Sequence, residues 1–167
     1  MRNEESKTVY MGGKTLRKDD GRIILRGELD SLLARAVMTC AYAKQYGYTE
    51  IVSGCEDIVR VLREIVKSEA LGTVCEVREI LGMDFDELRQ VSHNPRTELG
   101  AGHYFPDENT DSMTAMLNLL RTDARRAERY CAAVLEEHPS AEGLIAVLNR
   151  LSSAAYILMI ECSARFE

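Results

Sequence analysis

The stretch DSMTAMLNLLRTDARRAERYCAAVL, residues 111–135, decides the fold class of this chain. Met113, Met116, Leu117, Leu120, Ala124, Ala127, Cys131, Val134 and Leu135 recur at separations of mostly three and four, which is the period of a helix that buries one face. Thr110 or Asp111 can cap its start, and Pro139 ends it. No Gly or Pro interrupts the run, and it is far too long for a strand. A second helix of the same kind follows, opened by Ser140 with Gly143 and carried by Leu144, Val147, Leu148, Leu151, Ala155, Leu158 and Met159.

Working outward toward the N-terminus, the periodicity holds twice more. From near Glu28 the apolar positions Leu29, Leu32, Leu33, Ala36, Val37, Cys40 and Ala43 share one face, and Gly47 stops the helix. Ser53 is the expected cap of the next, with Ile58, Val59, Leu62, Ile65 and Val66 as its stripe and Gly72 beyond its end. Between these pairs the signal is shorter. Residues 74–81 read as a brief helix, Gly82 interrupts, and Asp84 can cap another turn or two through Leu88 and Val91. Four long amphipathic helices and a short broken one predict an all-α, five-helix bundle. One domain is expected, with residues 1–27 as an irregular, locally basic arm and residues 28–167 as the bundle. Residues 93–109, holding Pro95, Gly100, Gly102 and Pro106, form the longest expected loop, and loops of that length in compact domains usually carry function.

Composition agrees with helices and narrows the setting. The chain has 167 residues, no Trp, three Phe, 11 Gly and three Pro, too few aromatics and turn residues for a β-sandwich or barrel. Its net charge of −6 argues against nucleic-acid and membrane-surface partners. The five cysteines, odd in number and without a CxxC pair, form neither a disulfide framework nor a zinc ribbon, and read as buried thiols in a reducing compartment. The N-terminus lacks the apolar core of a signal peptide, and no stretch is an uninterrupted apolar run of membrane-spanning length. The cytoplasm is the expected location. No repeat, P-loop, GxSxG, HExxH or Glu-x-x-His di-iron signature is present.

Polar residues on the two C-terminal helices form a second pattern. Asn118, Arg121, Arg125 and Glu128 lie on one face beside the apolar one, and Arg121, Arg125, Arg126 and Arg129 crowd into nine residues. Such a stripe by itself is ordinarily a solvated edge, but guanidinium forks at this density suit phosphate or intersubunit carboxylates. The last helix offers Asn149, Ser152, Ser153 and Tyr156 on one side, and the arm adds Lys14, Arg17, Lys18, Arg22 and Arg26 against Asp19 and Asp20. Three separated segments thus present donors fitted to one polyanionic ligand. Among the histidines, His138 reads as a helix C-terminal cation, and His103, beside Tyr104 and Phe105, stays a second-rank candidate.

These residues carry a family resemblance. Arg-Thr-x-x-Arg-Arg-Ala-Glu-Arg at 121–129, Leu-Asn-Arg-Leu-Ser at 148–152, and Lys-Asp-Asp-x-Arg-Ile followed by Gly-Glu-Leu-Asp-Ser-Leu across 18–32 resemble, in this order, the ATP:cob(I)alamin adenosyltransferases of the propanediol-utilisation (PduO) type. The run at 116–122, the Leu-Asn-Arg-Leu-Ser-Ser-x-x-Tyr at 148–156 and the Leu-x-x-x-Ser-His-x-Pro around His93 are similar to the ethanolamine-utilisation (EutT) branch. That branch carries a His followed by Cys-Cys-x-x-Cys, which nothing here matches. No metal cluster is expected, and the chain reads as the helical catalytic domain alone.

The resemblance implies transfer of the 5′-deoxyadenosyl group of ATP, bound with Mg2+, to cob(I)alamin, giving adenosylcobalamin and triphosphate. It implies that Lys18 and Arg22 of the arm, Arg125, Glu128 and Asn149 meet the nucleotide. It makes Phe105 an aromatic wedge below the corrin ring that keeps the lower axial ligand away. It pairs Asp30 with Arg121 across the interface of a homotrimer whose sites are built from two chains, and it implies a flavoprotein reductase as electron donor. One departure stands out: the Thr-Gly-Asp-x-Gly phosphate loop of the propanediol type is replaced here by Tyr10-Met11-Gly12-Gly13-Lys14-Thr15. A non-catalytic corrinoid-binding or adenosylcobalamin-handling protein on the same bundle is therefore the alternative expectation.

Overall fold

The computed structural model describes residues 4–134 and 141–163. Four long helices close a ring: α1 (Gly21–Gln45) packs on α2 (Thr49–Leu71), α2 on α6 (Ala141–Ser163), α6 on α5 (Ser112–Ala133), and α5 back on α1. The short α3 (Phe85–His93) lies against α6, and a single turn, α4 (Pro95–Glu98), follows it. The interior is a continuous apolar core in which Leu29, Leu32, Ile58, Leu62, Leu120 and Leu148 are fully buried. The helix count is six rather than five, because Pro95 at the first position of α4 starts one turn inside the segment expected to be loop. The all-α class stands, joined by two small hairpins.

Three local expectations are corrected. The first helix begins at Gly21, seven residues before the start expected near Glu28, because the Asp20 carboxylate accepts the Arg22 N–H at 3.0 Å and caps it there, and Leu25 carries the buried stripe one turn further back. Residues 21–27, expected in the arm, are thus helical. The second helix begins at Thr49, not after Ser53, since Gly47 in the left-handed region (φ 73°) turns the chain directly into it. Residues 74–81 are not helical. Cys75 and Val77 are buried while Glu76 and Arg78 are exposed, a two-residue alternation that leads into the antiparallel pair β3 (Glu79–Ile80) and β4 (Met83–Asp84). Asp57 of α2 secures this turn by accepting the Leu81 N–H at 2.8 Å. Asp84 then caps α3 in a reciprocal box with Glu87, and Asp111 caps α5 by accepting from Met113 and Thr114. Leu135, His138, Pro139 and Ser140, which carried expectations for the α5–α6 turn, lie outside the described residues.

The arm is a β-hairpin, not an irregular segment. β1 (Lys7–Val9) pairs antiparallel with β2 (Thr15–Arg17), and Gly12 and Gly13, both at positive φ, make the turn. A buried polar cluster anchors it to the bundle. Tyr10 donates its hydroxyl to Glu69 Oε1 at 3.0 Å, Arg26 meets Glu69 Oε2 at 2.9 Å, and the Arg26 guanidinium lies 4.5 Å from the Tyr10 ring centre. The Glu69 side chain is 1% exposed and Arg26 35%, so the carboxylate depends on its partners while the guanidinium still reaches water. Glu69→Gln is therefore expected to cost about 1.5–3 kcal/mol in urea unfolding, the range for a hydrogen bond to a charged group. Burial first, then the Glu69 charge, push the Tyr10 phenol up to about 12. A folded value above the ordinary one, roughly 10, means that the neutral phenol's contribution is complete below that pH and is lost as pH rises through about 12. Tyr10→Phe is expected to flatten the alkaline limb of the stability curve.

The α6 window at residues 143–163 is long and apolar enough to cross a membrane by composition, yet 61% of its most apolar part is buried inside the bundle. It is one wall of the ring, packed against α2, α3 and α5.

Candidate active site

One cleft of about 530 Å³ opens between the end of α3, the loop before α5, and the facing sides of α5 and α6. The geometry follows from two helical periods meeting. Arg121 and Arg125 stand one turn apart on α5, and Ser152, Ser153 and Tyr156 stand on the adjoining side of α6. The loop contributes His103, Tyr104 and Phe105 as the third wall. One turn further along the same helix pair, a second cleft of about 490 Å³ is lined by Glu128, Asn149 and Arg150. Between the helices there, Asn149 Nδ2 donates to Glu128 Oε1 at 2.8 Å, and its own Oδ1 accepts from Arg150 at 2.9 Å.

The arginines of α5 divide by what they face. Arg126 is structural: it bridges to Glu28 at 2.6 Å and to Asp123 at 3.1 Å, tying α5 to α1, and Arg35 adds to the same Asp123 at 3.2 Å. Arg121 donates twice to Asn118 Oδ1, at 3.0 and 3.1 Å, and its guanidinium lies 5.9 Å from the Tyr156 ring centre. Burial first, then the like charge of Arg125, hold Arg121 below its ordinary value. Arg125 has no hydrogen bond or ion pair with any described residue and is exposed into the cleft. Two guanidiniums, one without a carboxylate and one held only by an amide, leave a local positive field in a protein of net charge −6.

Phe105 is 81% exposed at the cleft rim. An apolar ring that anchored its loop would be buried, so anchoring is not its role in this chain. Polar bonds hold the loop instead. Tyr104 N–H donates to the Tyr156 hydroxyl at 3.2 Å, the same hydroxyl lies 3.1 Å from His103 Nδ1, and the Tyr104 hydroxyl lies 2.9 Å from Thr110 Oγ1.

The arm's donors do not join this cleft within one chain. Arg22 is engaged by Asp20, at 2.9 Å through Nε and 2.8 Å through Nη2, and stands over the Tyr10 ring. Lys18 is exposed, its backbone N–H bonded to Ser6 O. Both adjoin the start of α1, where Gly21 packs closely on Val134; Val134 is nine residues beyond Arg125, about 13 Å along a helix axis. Asp30 is exposed on α1 and makes no ion pair with any described residue, so its expected pairing with Arg121 is not made inside the chain. The structure thus brings together Phe105, Arg121 and Arg125 in one cleft and Glu128 with Asn149 in the next, and leaves Lys18, Arg22 and Asp30 apart. Among the described residues, no group of three or more His, Cys, Asp or Glu is arranged to hold a metal ion. Sequence reading missed the Tyr10–Arg26–Glu69 cluster, whose members are 43 and 59 residues apart and share no local signal.

A ring of four helices, opened on one side into a cleft that brings together an arginine without a carboxylate partner, a hydroxyl row and an exposed aromatic, defines a helical-bundle protein with one mixed cationic and aromatic cleft. The family model for cobalamin adenosyltransferase matches residues 2–162. The chain belongs to that family. It is 31% identical over 159 residues to the corrinoid adenosyltransferase EutT of Escherichia coli K12, covering 93% of this chain and 58% of that protein. It is 29% identical over 163 residues to the EutT of Salmonella typhimurium LT2, covering 96% and 60%. The chain therefore spans about three fifths of these relatives. A corrinoid adenosyltransferase of Citrobacter freundii is 24% identical over 92% of this chain and 87% of its own length. Among solved structures, a phenylalanine-to-alanine variant of a PduO-type ATP:corrinoid adenosyltransferase from Lactobacillus reuteri, complexed with cobalamin and ATP, superposes with a TM-score of 0.74 at 20% identity over 98% of this chain and 91% of that one. An arginine-to-lysine variant from the same organism, complexed with ATP, gives 0.73 at 19% identity over 98% and 92%. These likenesses establish the shared fold.

Proposed function

We propose that this chain transfers the 5′-deoxyadenosyl group of ATP to a corrin substrate, cob(I)alamin. The cobalt electron pair forms a bond to the ribose 5′ carbon, the C5′–O bond breaks, and its electrons leave with triphosphate. The nucleophile belongs to the substrate, so the protein's part is placement and charge neutralisation. Arg125 faces the departing phosphates, Glu128 and Asn149 meet the nucleotide beside it, and Phe105 meets the lower face of the corrin. The observation that carries this reading is the exposed Phe105 across the cleft from an arginine without a carboxylate partner, in a chain of the adenosyltransferase family. An anaerobic assay with chemically reduced cobalamin and Mg-ATP is expected to yield adenosylcobalamin, read by its absorption change; a folded protein that forms none overturns the reading.

The substituted phosphate loop at residues 10–15 supports a second reading, a corrinoid-binding protein without catalysis. Calorimetry separates the two, since that reading has cobalamin bind and ATP not bind.

The separation of Lys18 and Arg22 from the cleft supports a homotrimer in which the arm of one chain completes the site of the next, with Asp30 and Arg121 paired across the interface. Exposed Val37, Met38 and Leu119 on α1 and α5 offer apolar area for such an interface. Asp30→Ala is then expected to shift sedimentation from trimer toward monomer at micromolar concentration, with helicity unchanged. Reduction of the cobalt requires an external one-electron donor, and a flavoprotein reductase fits that role. Five buried cysteines, all free thiols, support a reducing cytoplasm.

A further inference from the structure

We propose that Tyr156 is a positioning residue that sets where the Phe105 ring stands, an inference that rests on the adenosyltransferase reading of the cleft. The loop from Gly100 to Thr110 makes a single backbone-to-backbone bond among the described residues, Thr110 N–H to Asp107 O. Backbone pairing therefore does not fix its course, and side chains must. On the carboxyl side of Phe105, Thr110 Oγ1 accepts the Asp107 N–H at 2.8 Å and lies 2.9 Å from the Tyr104 hydroxyl. On the amino side, Tyr104 also packs its ring on the core, and the Tyr156 hydroxyl is the hydrogen-bond partner from outside the loop: it accepts the Tyr104 N–H and bonds His103 Nδ1. One phenol oxygen on the rigid α6 thus holds two successive residues immediately before Phe105.

The arrangement matters because Phe105 has nothing of its own to hold it. At 81% exposure its ring gains little packing from the chain, so its position is set mainly by the backbone on either side. The Tyr156 ring is itself fixed, stacked 6.3 Å from the His103 ring at 23° and lying under the Arg121 guanidinium. The same side chain therefore touches the cationic wall of the cleft and the loop that carries the aromatic. A wedge works only if it is stiff; a ring on a loose loop yields to the group it should exclude.

Tyr156→Phe removes the hydroxyl and keeps the ring. In the ligand-free protein, hydrogen–deuterium exchange at the Tyr104 amide is expected to accelerate about tenfold, the scale of one lost hydrogen bond, with α5 and α6 unaltered. In assays that start from cob(II)alamin, kcat is expected to fall several-fold while KM for ATP holds, and with cob(I)alamin supplied fully reduced kcat is expected to stay near wild type. His103→Ala, which removes one bond and leaves the Tyr104 N–H bond, should have the smaller effect on both. Unchanged exchange at Tyr104 in Tyr156→Phe overturns the proposal, as does faster exchange with unchanged kcat from cob(II)alamin. If the wild-type protein forms no adenosylcobalamin, the enzymatic reading fails separately, and exchange at Tyr104 alone then decides whether the hydroxyl holds the loop.

Discussion

Arg125→Ala is expected to lower kcat/KM for ATP by roughly 30- to 1,000-fold, the equivalent of about 2–4 kcal/mol, which is the range for deleting one donor to a developing anion in a water-poor site. The change should spare the fold. Arg125 lines the cleft without a bond to any described residue, so its removal strands no partner, and thermal melting should stay within a degree or two. Arg126 supplies the contrast from the next position in the sequence. Its bridges to Glu28 and Asp123 tie two helices together, and Arg126→Ala should lower the melting temperature while leaving kcat close to wild type. Steady-state kinetics and calorimetric melting of the two variants side by side test the division. Equal activity losses would place both arginines in one electrostatic patch and remove Arg125 from contact with the phosphates.

Phe105→Ala is expected to reduce adenosylation starting from cob(II)alamin by about 10- to 150-fold. That range follows if the roughly 1.5–3 kcal/mol available from burying one phenylalanine ring against substrate is used at the reductive step. The effect should vanish when fully reduced cob(I)alamin is supplied, because the wedge acts before the cobalt becomes a nucleophile. ATP affinity by calorimetry should not move. Melting should not move either, since a ring that is 81% exposed contributes almost no buried area to the folded chain. Loss of stability in this variant would return Phe105 to the role of a loop anchor. Loss of rate with pre-reduced substrate would assign it to the transfer step.

How far residue order alone reached differs by element. The helices α5 and α6 are legible because long apolar stripes with a 3.6-residue period report burial on one face, and burial is what stabilises them. The start of α1 was not, because the charged residues and glycine around position 20 read as an arm, whereas Leu25, four residues before Leu29, extends the same buried stripe and Asp20 caps the helix ahead of it. Residues 74–81 misled because a short apolar run fits either period, and what selected the extended form was the side-chain bond from Asp57, 24 residues away, to the Leu81 amide. For the site, helical spacing singled out Arg121 and Arg125 and the family resemblance added Phe105, and the three share a cleft. That same spacing gave no warning that Arg126 is spent on Glu28 or that Arg22 is held by Asp20.

The sequence by itself determined an all-α bundle, its core faces and the family to which the chain belongs, since these rest on periodicity and on motifs that are local in the chain. Only the tertiary structure decided which charges remain free. An arginine's availability depends on whether a carboxylate from another helix stands within about 4 Å of it, the reach of an ion pair. The partners here are 98 residues apart for Arg126 and Glu28, and 43 for Arg26 and Glu69. The same holds for Phe105, whose exposure follows from a loop fastened by Tyr156, 52 residues beyond Tyr104.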